Sequence, residues 1–162
     1  MRAILQRVSH ATVTIDGVNV GAIDHGLLVL LGIGQGDGPA QIALIAKKIL
    51  ELRIFDDEQG KPNISLLDSG GSVLVVSQFT LYADTSRGRR PGYALAAAPA
   101  QAEPLYEDMV AALRTAGVTV ATGVFGADMQ VSLTNNGPYT IILDSDTLTM
   151  PAGIVPKPDI LR

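Results

Sequence analysis

The alternation of hydrophobic and polar positions predicts a chain of strands interrupted by two helices. Short apolar runs and alternating apolar and polar residues are typical of strands, and they occur in eight segments. These segments are Arg2–Val8, Ala11–Asp16, Val18–Ile23, Gly26–Ile33, Val73–Val76, Val118–Phe125, Met129–Asn135 and Tyr139–Ser145. The pair Asp16-Gly17 predicts a two-residue turn between the second and third strands.

Two other segments repeat apolar residues with the period of an amphipathic helix. The first begins after Asp37, the predicted N-cap, with Pro39 in its first turn. Its apolar face is formed by Ile42, Ile45, Ile49 and Leu52. A helix with mostly charged residues on its other face packs on one side of a sheet.

The second helical region is Ala94–Ala116, and Gly117 ends it. Its apolar residues are Leu105, Met109, Val110 and Leu113. Because proline is unfavourable inside a helix, the helix either begins near Pro104 or is kinked after a start at Pro99. The predicted fold class is therefore α/β, with mixed β-sheets in a layered or barrel-like arrangement and two main helices.

Length and composition favour one folded domain that binds a partner subunit. The 162 residues predict a single domain, 1–162, whose residues from about 146 to 162 form an extended tail rich in proline. Hydrophobic residues make up 47% of the chain and charged residues only 17%, which is apolar for a monomer. No signal peptide and no run of roughly 20 apolar residues is found, so a cytoplasmic protein without a membrane segment is expected.

The residue types also exclude several chemistries. The chain has no cysteine, which excludes disulfides, zinc–thiolate sites and thiol nucleophiles. Its two histidines, His10 and His25, lie in turn-like segments, and nothing in their spacing favours a catalytic triad. The pair Asp56-Asp57 is interpreted as a solvated turn, since adjacent carboxylates rarely converge on one ion. No metal and no cofactor is predicted.

The strand that begins at Val73 ends in polar residues. Ser77, Gln78 and Thr80 follow four apolar residues at positions where further hydrophobic residues would be expected. Polar groups at the end of a buried strand cost about 1–3 kcal/mol each unless they find partners. Two interpretations follow: the strand emerges into water, or it presents hydroxyl and amide groups to a pocket.

Two loops have compositions that allow a binding role. In Asn135-Asn136-Gly137-Pro138, either a tight hairpin turn or a loop that turns its carbonyl groups outward is compatible with the sequence. In the second loop, Arg87, Arg89 and Arg90 form the one dense basic cluster of a chain with net charge −4. That cluster is either a solvated loop or a site for phosphate groups, which the planar guanidinium fork suits.

Seven segments in order along the chain resemble the D-aminoacyl-tRNA deacylases, also called D-tyrosyl-tRNA deacylases. The two diagnostic motifs are the run Ser77–Asp84, with the sequence SQFTLYAD, and the loop Asn135–Pro138, with the sequence NNGP. The flanking segments are Met1–Val8, Gly26–Ile33, Lys48–Asp57, Gly88–Pro91 and Thr122–Val131. The resemblance extends over residues 1–145.

The resemblance implies a homodimeric hydrolase that cleaves the ester between a D-amino acid and the terminal adenosine of tRNA, a proofreading step in translation. It implies that Ser77, Gln78, Phe79 and Thr80 form the catalytic pocket for the adenosine and the ester. It also implies that Gly137-Pro138 is a cis dipeptide inserted into the partner subunit's pocket, where it excludes L side chains. Because glycine has no side chain to be excluded, the resemblance implies that glycyl-tRNA would also be hydrolysed. The other substrate-binding residues implied are Asn135, Asn136, Arg7, which steadies the loop, and Met129.

Two positions depart from the family pattern. Gly92-Tyr93 follows Pro91 where Ser-Phe is common, and Tyr139 follows Pro138 where a small aliphatic residue is usual. Both departures concern the rim of the site or the dimer contact. No family counterpart is recognised for the tail after Asp146.

The mechanism stays open between two hypotheses. Thr80 acts as a nucleophile, although no base is offered to it. Alternatively, the 2′-hydroxyl of the RNA assists a water, while N–H groups near Phe79 and Thr80 stabilise the oxyanion. Two other functions compete with this one: a non-catalytic nucleic-acid-binding dimer and a general esterase.

Overall fold

The structure is a computed structural model and describes residues 1–149. The strands are β1 (Arg2–Ile15), β2 (Val18–Ile23), β3 (Gly26–Gly32), β4 (Phe55–Asp56), β5 (Pro62–Ile64), β6 (Ser72–Ser77), β7 (Val120–Thr122) and β8 (Gln130–Asp144). The helices are α1 (Pro39–Glu51), α2 (Leu66–Ser69), α3 (Pro99–Thr115) and α4 (Ser145–Leu148), with a 3₁₀ turn at Phe79–Tyr82. No helix in the described part of the chain is both long enough and apolar enough to cross a membrane.

One mixed sheet curls until its ends approach each other. The strand order is β2-β1-β3-β6-β7, and β8 pairs along the other side of β1. The β3–β6 and β6–β7 pairs are parallel, and the remaining pairs of this sheet are antiparallel. Strands β2 and β7 come so close that a Cβ atom on Gly21 would lie 2.3 Å from the carbonyl oxygen of Thr122. The predicted α/β, barrel-like arrangement is confirmed.

Strand β1 is continuous, which corrects the prediction of two strands separated near His10. The first half of β1 pairs with β3 and the second half with β2, while β8 pairs with both halves. The β1–β8 register shifts between Gln6 and His10, so the strand bends there without ending. Ser9 and His10 are exposed at this bend, which explains why the hydrophobic pattern was interrupted.

The sheet is covered on both faces, and this explains the continuous apolar runs of its central strands. In β3, Leu27 and Val29 belong to the core beneath α1 and α3, whereas Leu28 faces the interior of the curled sheet. In β6, Val73 and Val75 point to the helices, while Leu74 and Val76 point inward. Each such side chain stabilises the fold by about 1.5–3 kcal/mol relative to an exposed one.

Both predicted main helices form, and the structure defines the residue at which each one begins. The N-cap of α1 is Gly38, not Asp37. The Asp37 carboxylate is engaged elsewhere: it accepts hydrogen bonds of 2.6 Å from the Met1 ammonium group and from the N–H of Gly34. Helix α3 begins at Pro99 and contains Pro104.

The start of the predicted extended tail is also corrected. Residues 145–148 form α4, because the side chain of Asp144 accepts a hydrogen bond of 3.0 Å from the N–H of Asp146 and caps the helix. Residues 150–162, with their prolines, lie outside the described residues.

Candidate active site

The polar residues that follow β6 lie where this strand leaves the sheet. The parallel pairing of β3 and β6 ends at Leu31 and Ser77, and the N–H of Gln78 still donates to the carbonyl oxygen of Leu31 at 2.8 Å. The chain then turns into the 3₁₀ helix Phe79–Tyr82. The polar side chains are therefore held at the end of a rigid, buried strand.

A cavity of about 580 Å³ opens at this end of β6. Its lining includes Ser77, Gln78, Phe79 and Met129 among the residues predicted for the site. The rest of the lining is mainly apolar, and it comes from β3, β8, the start of α3 and the segments around Tyr93 and Phe125. Its volume lies in the range of small-molecule sites, so the structure favours a pocket over a strand end in open water.

The lining lacks the groups that usually serve as a general base. Among the described residues that line the cavity, none is a histidine, carboxylate, lysine or arginine. His10 is exposed on β1 beside Thr134, and His25 packs edge-on against Phe55. No group of three or more possible metal ligands occurs within residues 1–149.

Thr80 lies beside the cavity rather than in its lining. Its Oγ1 accepts a short hydrogen bond from Nε2 of Gln78. A carboxamide has no basic atom at neutral pH, so this contact orients the hydroxyl without activating it as a nucleophile. The first hydrogen bond of the 3₁₀ turn runs from the N–H of Leu81 to the carbonyl oxygen of Gln78. The N–H groups of Phe79 and Thr80 come before it in the chain, so they have no acceptor within the turn.

Two aromatic side chains form one edge of the opening. The rings of Phe79 and Tyr93 meet edge to face, with 4.9 Å between centroids and 70° between planes. Phe79 is 57% exposed, which leaves much of it open to solvent. A nucleobase can stack on exposed aromatic surface of this kind.

Several pocket residues were not predicted from the sequence. Tyr93 was noted only as a departure from the family, and Phe125, Pro99 and Ala102 were not assigned to the site. These residues come from segments distant in sequence from β6. The run of alanines at 96–98 was the one available signal, since small side chains leave space at the start of a helix.

The loop that contains Gly137 and Pro138 is a bulge in one long strand, so the hairpin interpretation is wrong. Val8 pairs with Asn135 and Gln6 pairs with Thr140, so residues 136–139 protrude opposite Arg7. The Gly137-Pro138 peptide bond is cis. Both residues are exposed.

Asn135 closes the base of this bulge with its side chain. Its Oδ1 accepts a hydrogen bond of 2.6 Å from the N–H of Tyr139, and its Nδ2 donates to the carbonyl oxygen of Tyr139 at 3.2 Å. Space is also restricted at the tip, since a Cβ atom on Gly137 would lie 2.4 Å from the nitrogen of Tyr139. The backbone of Gly137 and Pro138 is thereby presented in one defined conformation.

Arg7 supports the bulge from beneath, with only 7% of its surface exposed. Its Nε donates to the carbonyl oxygen of Asn136 at 2.9 Å, and its Nη1 donates to the carbonyl oxygen of Ile54 at 2.7 Å and to Asp56 at 3.0 Å. The guanidinium carbon lies 4.7 Å from the centroid of the Tyr139 ring. The carbonyl of Asn136 therefore points inward, and Asp56, which the sequence placed in a solvated turn, belongs to this support.

Replacement of Arg7 by Met is expected to lower the free energy of unfolding by about 2–4 kcal/mol, because hydrogen bonds from a charged group to buried carbonyls are lost. The change is measured by urea denaturation. The matched control is Arg53→Met, an exposed arginine that bonds Asn63, for which less than about 1 kcal/mol is expected. Equal losses in the two variants would contradict the supporting role of Arg7.

The bulge and the cavity are well separated within one chain. Gly137, Pro138, Asn135, Asn136 and Arg7 are all absent from the cavity lining. Val131, which lines the cavity, is six residues from Gly137 along β8, or about 20 Å of extended strand. The predicted site residues thus form two groups: one at the end of β6 and one on the bulge of β8.

Comparison with known proteins agrees with the order of the motifs. The family model described as D-Tyr-tRNA(Tyr) deacylase matches residues 4–144. The D-aminoacyl-tRNA deacylase of Chloroflexus aurantiacus is 56% identical over 151 residues, which cover 93% of this chain and 94% of that protein. The D-aminoacyl-tRNA deacylase of Thermus aquaticus is 59% identical over 145 residues, covering 90% and 95%.

Solved structures share the fold. A structure described as "c-Myc DNA Unwinding Element Binding Protein" superposes with a TM-score of 0.84 at 40% identity, covering 89% of this chain and 98% of that one. One described as "a probable eukaryotic D-amino acid tRNA deacylase" has a TM-score of 0.75 at 18% identity, covering 88% and 97%, and shows the fold alone. The fold is thus that of a class of tRNA deacylases. The chain belongs to the D-Tyr-tRNA(Tyr) deacylase family.

Proposed function

We propose that this protein hydrolyses the ester bond of D-aminoacyl-tRNA to give free D-amino acid and tRNA. The observation that supports this function most directly is the cavity at the end of β6, with Ser77 and Gln78 in its lining and Phe79 at its edge, in a chain of this family. The apolar lining suits the faces of an adenine, and the polar end suits the ribose and the ester.

Chiral selection is proposed to require a second copy of the chain. The exposed Gly137-Pro138 backbone lies about 20 Å along β8 from its own cavity, so it cannot narrow that cavity. In a two-fold homodimer each subunit contributes the same surface to the other, so each bulge enters the partner subunit's pocket. The backbone there occupies the space that an L side chain needs. A glycyl ester has no side chain and is therefore accepted. D side chains of many sizes are also accepted, because they do not occupy that space.

The mechanism proposed for the hydrolysis uses the substrate's own 2′-hydroxyl. The lining supplies no base, and the contact from Gln78 leaves Thr80 without one. The 2′-hydroxyl next to the ester assists the attacking water, while the N–H groups of Phe79 and Thr80 stabilise the oxyanion. The protein's main contribution is then to hold the ester in place.

The decisive experiment measures hydrolysis of paired D- and L-aminoacyl-tRNA by the purified protein. Release of the D-amino acid alone is expected. Equal rates on both substrates would refute chiral selection by the bulge. Hydrolysis of small esters without preference for tRNA would identify a general esterase.

A second candidate function is nucleic-acid binding without catalysis. It is favoured by the solved relative of 40% identity whose name describes binding to a DNA element. The same experiment separates the two functions, since a binding protein releases no amino acid. The chain's net charge of −4 favours the enzyme, because an acidic protein binds polyanions poorly outside a dedicated site. Cytoplasmic location remains a prediction of the sequence.

A further inference from the structure

The segment between Asp84 and Gly92, here called the basic loop, contains three arginines in a closed backbone ring. The N–H of Asp84 donates to the carbonyl oxygen of Gly92 at 2.7 Å, and the N–H of Gly92 donates back at 2.9 Å. Gly88 takes a φ of +70°, which allows the chain to reverse. The loop thus has a fixed base and a free tip.

The charges of the basic loop are not used to hold the fold together. Arg87, Arg89 and Arg90 are exposed, and no carboxylate of residues 1–149 lies within ion-pair distance of them. The nearby carboxylate of Asp84 accepts a hydrogen bond of 2.9 Å from the N–H of Ser86. Hydrogen bonds from Ser86 are the main reason that the pKa of Asp84 is lowered, and Arg87 adds a smaller effect. Three guanidinium groups therefore remain available to a ligand.

The base of the basic loop lies at the mouth of the cavity. Tyr93, directly after Gly92, lines the cavity and contacts Phe79. Asp84 follows the 3₁₀ turn by two residues. Seven residues folded back on themselves extend at most about 12 Å, so the arginines stay close to the opening.

We propose that the basic loop binds phosphates of the RNA strand that leads to the terminal adenosine in the cavity. This inference rests on the proposed function, which places that adenosine at the end of β6. Stacked nucleotides repeat every ~3.4 Å along a strand, so the loop reaches about three phosphates. Arginine presents the fork of donors that matches phosphate oxygens. The chain has a net charge of −4, so the RNA is attracted to this local positive patch rather than to the protein surface as a whole.

The test compares two substrates and three triple variants, the third of which keeps the charges. In one variant Arg87, Arg89 and Arg90 are changed to Ala. In the control Lys47, Lys48 and Lys61 are changed to Ala, which removes the same charge elsewhere. kcat/KM is measured on D-aminoacyl-tRNA and on D-aminoacyl-adenosine, which lacks the phosphates.

For the arginine variant we expect kcat/KM on tRNA to fall at least tenfold at ~50 mM salt, while kcat/KM on the adenosine ester stays within about twofold. The salt slope is the slope of log kcat/KM against the logarithm of the salt concentration. The loss of three phosphate contacts makes this slope less steep by about 2. Between ~50 and ~200 mM salt, the kcat/KM of the wild type on tRNA therefore falls about 16-fold more than that of the variant. Changing the three arginines to Lys keeps the charges and restores most of the salt slope.

Three results would overturn the inference. The first is an unchanged kcat/KM of the Arg-to-Ala variant on tRNA. The second is an equal fall of its kcat/KM on both substrates. The third is an equal fall on tRNA in the control, in which Lys47, Lys48 and Lys61 are changed to Ala. If the wild type hydrolyses neither substrate, the proposed function fails instead. The loop is then judged by binding of uncharged tRNA, where the arginine variant must still show the lower salt slope.

Discussion

D-aminoacyl-tRNA that ends in 2′-deoxyadenosine is expected to be hydrolysed about 100- to 10,000-fold more slowly than the ribose substrate, the range typical of a lost general acid–base group. The physical reason lies in the cavity, whose described lining contains no group that could take a proton from water. The hydroxyls of Ser77 and Thr80 have no base to activate them, so the ribose 2′-hydroxyl, which is adjacent to the ester, is the group expected to assist the water. The measurement is release of amino acid, corrected for the uncatalysed rate of each ester.

The companion variant is Thr80→Ala, which is expected to keep the rate within about tenfold of the wild type. The hydroxyl of Thr80 accepts a hydrogen bond from Gln78, so its loss removes an orienting contact rather than a nucleophile. The control is inhibition by uncharged 2′-deoxy tRNA, which verifies that the modified substrate still binds. An inactive Thr80→Ala with an active 2′-deoxy substrate would reverse the assignment and make Thr80 the nucleophile.

The parts of the fold that the sequence predicted are those in which local pattern and tertiary environment agree. Val73–Val76 is an uninterrupted apolar run because helices cover one face of β6 and the curled sheet covers the other. Ser77 and Gln78 interrupt that pattern, and both line the cavity. The change from apolar to polar residues at the end of β6 was therefore a local signal that was compatible with a pocket, although it did not exclude a strand end in water.

The parts that were missed depend on contacts between distant residues. Asp56 was assigned to a solvated turn, yet it pairs with Arg7, 49 residues away. Tyr93 reaches the cavity because the Asp84–Gly92 pair folds its segment back onto the 3₁₀ turn. Neither arrangement produces a periodic signal in the sequence.

The bulge of β8 shows why Asn-Gly alone was ambiguous. The same residues are typical of a two-residue hairpin, and only the pairing of both flanks with β1 establishes a bulge. The ring of Tyr139, the residue after Pro138, covers the guanidinium of Arg7. Tyr139 thus adds a contact beneath the loop, while the Gly137-Pro138 backbone stays exposed.

Replacement of Gly137 by Ala is expected to lower the ratio of kcat/KM for D- over L-aminoacyl-tRNA by about 100-fold, since a misplacement of ~1 Å in a positioned site has an effect of that size. A Cβ atom there would lie 2.4 Å from the nitrogen and 2.9 Å from the Cβ of Tyr139, so the backbone of the bulge must move. The matched control is Gly92→Ala, where the nearest atoms to a new Cβ are at 4.0 Å and no shift is required. The melting temperature and the sedimentation of the variant are measured alongside, so that a loss of folding or of the proposed dimer is distinguished from a loss of selection. A variant that keeps the full D-over-L ratio, with the control unchanged, would show that the bulge does not select the chirality of the substrate.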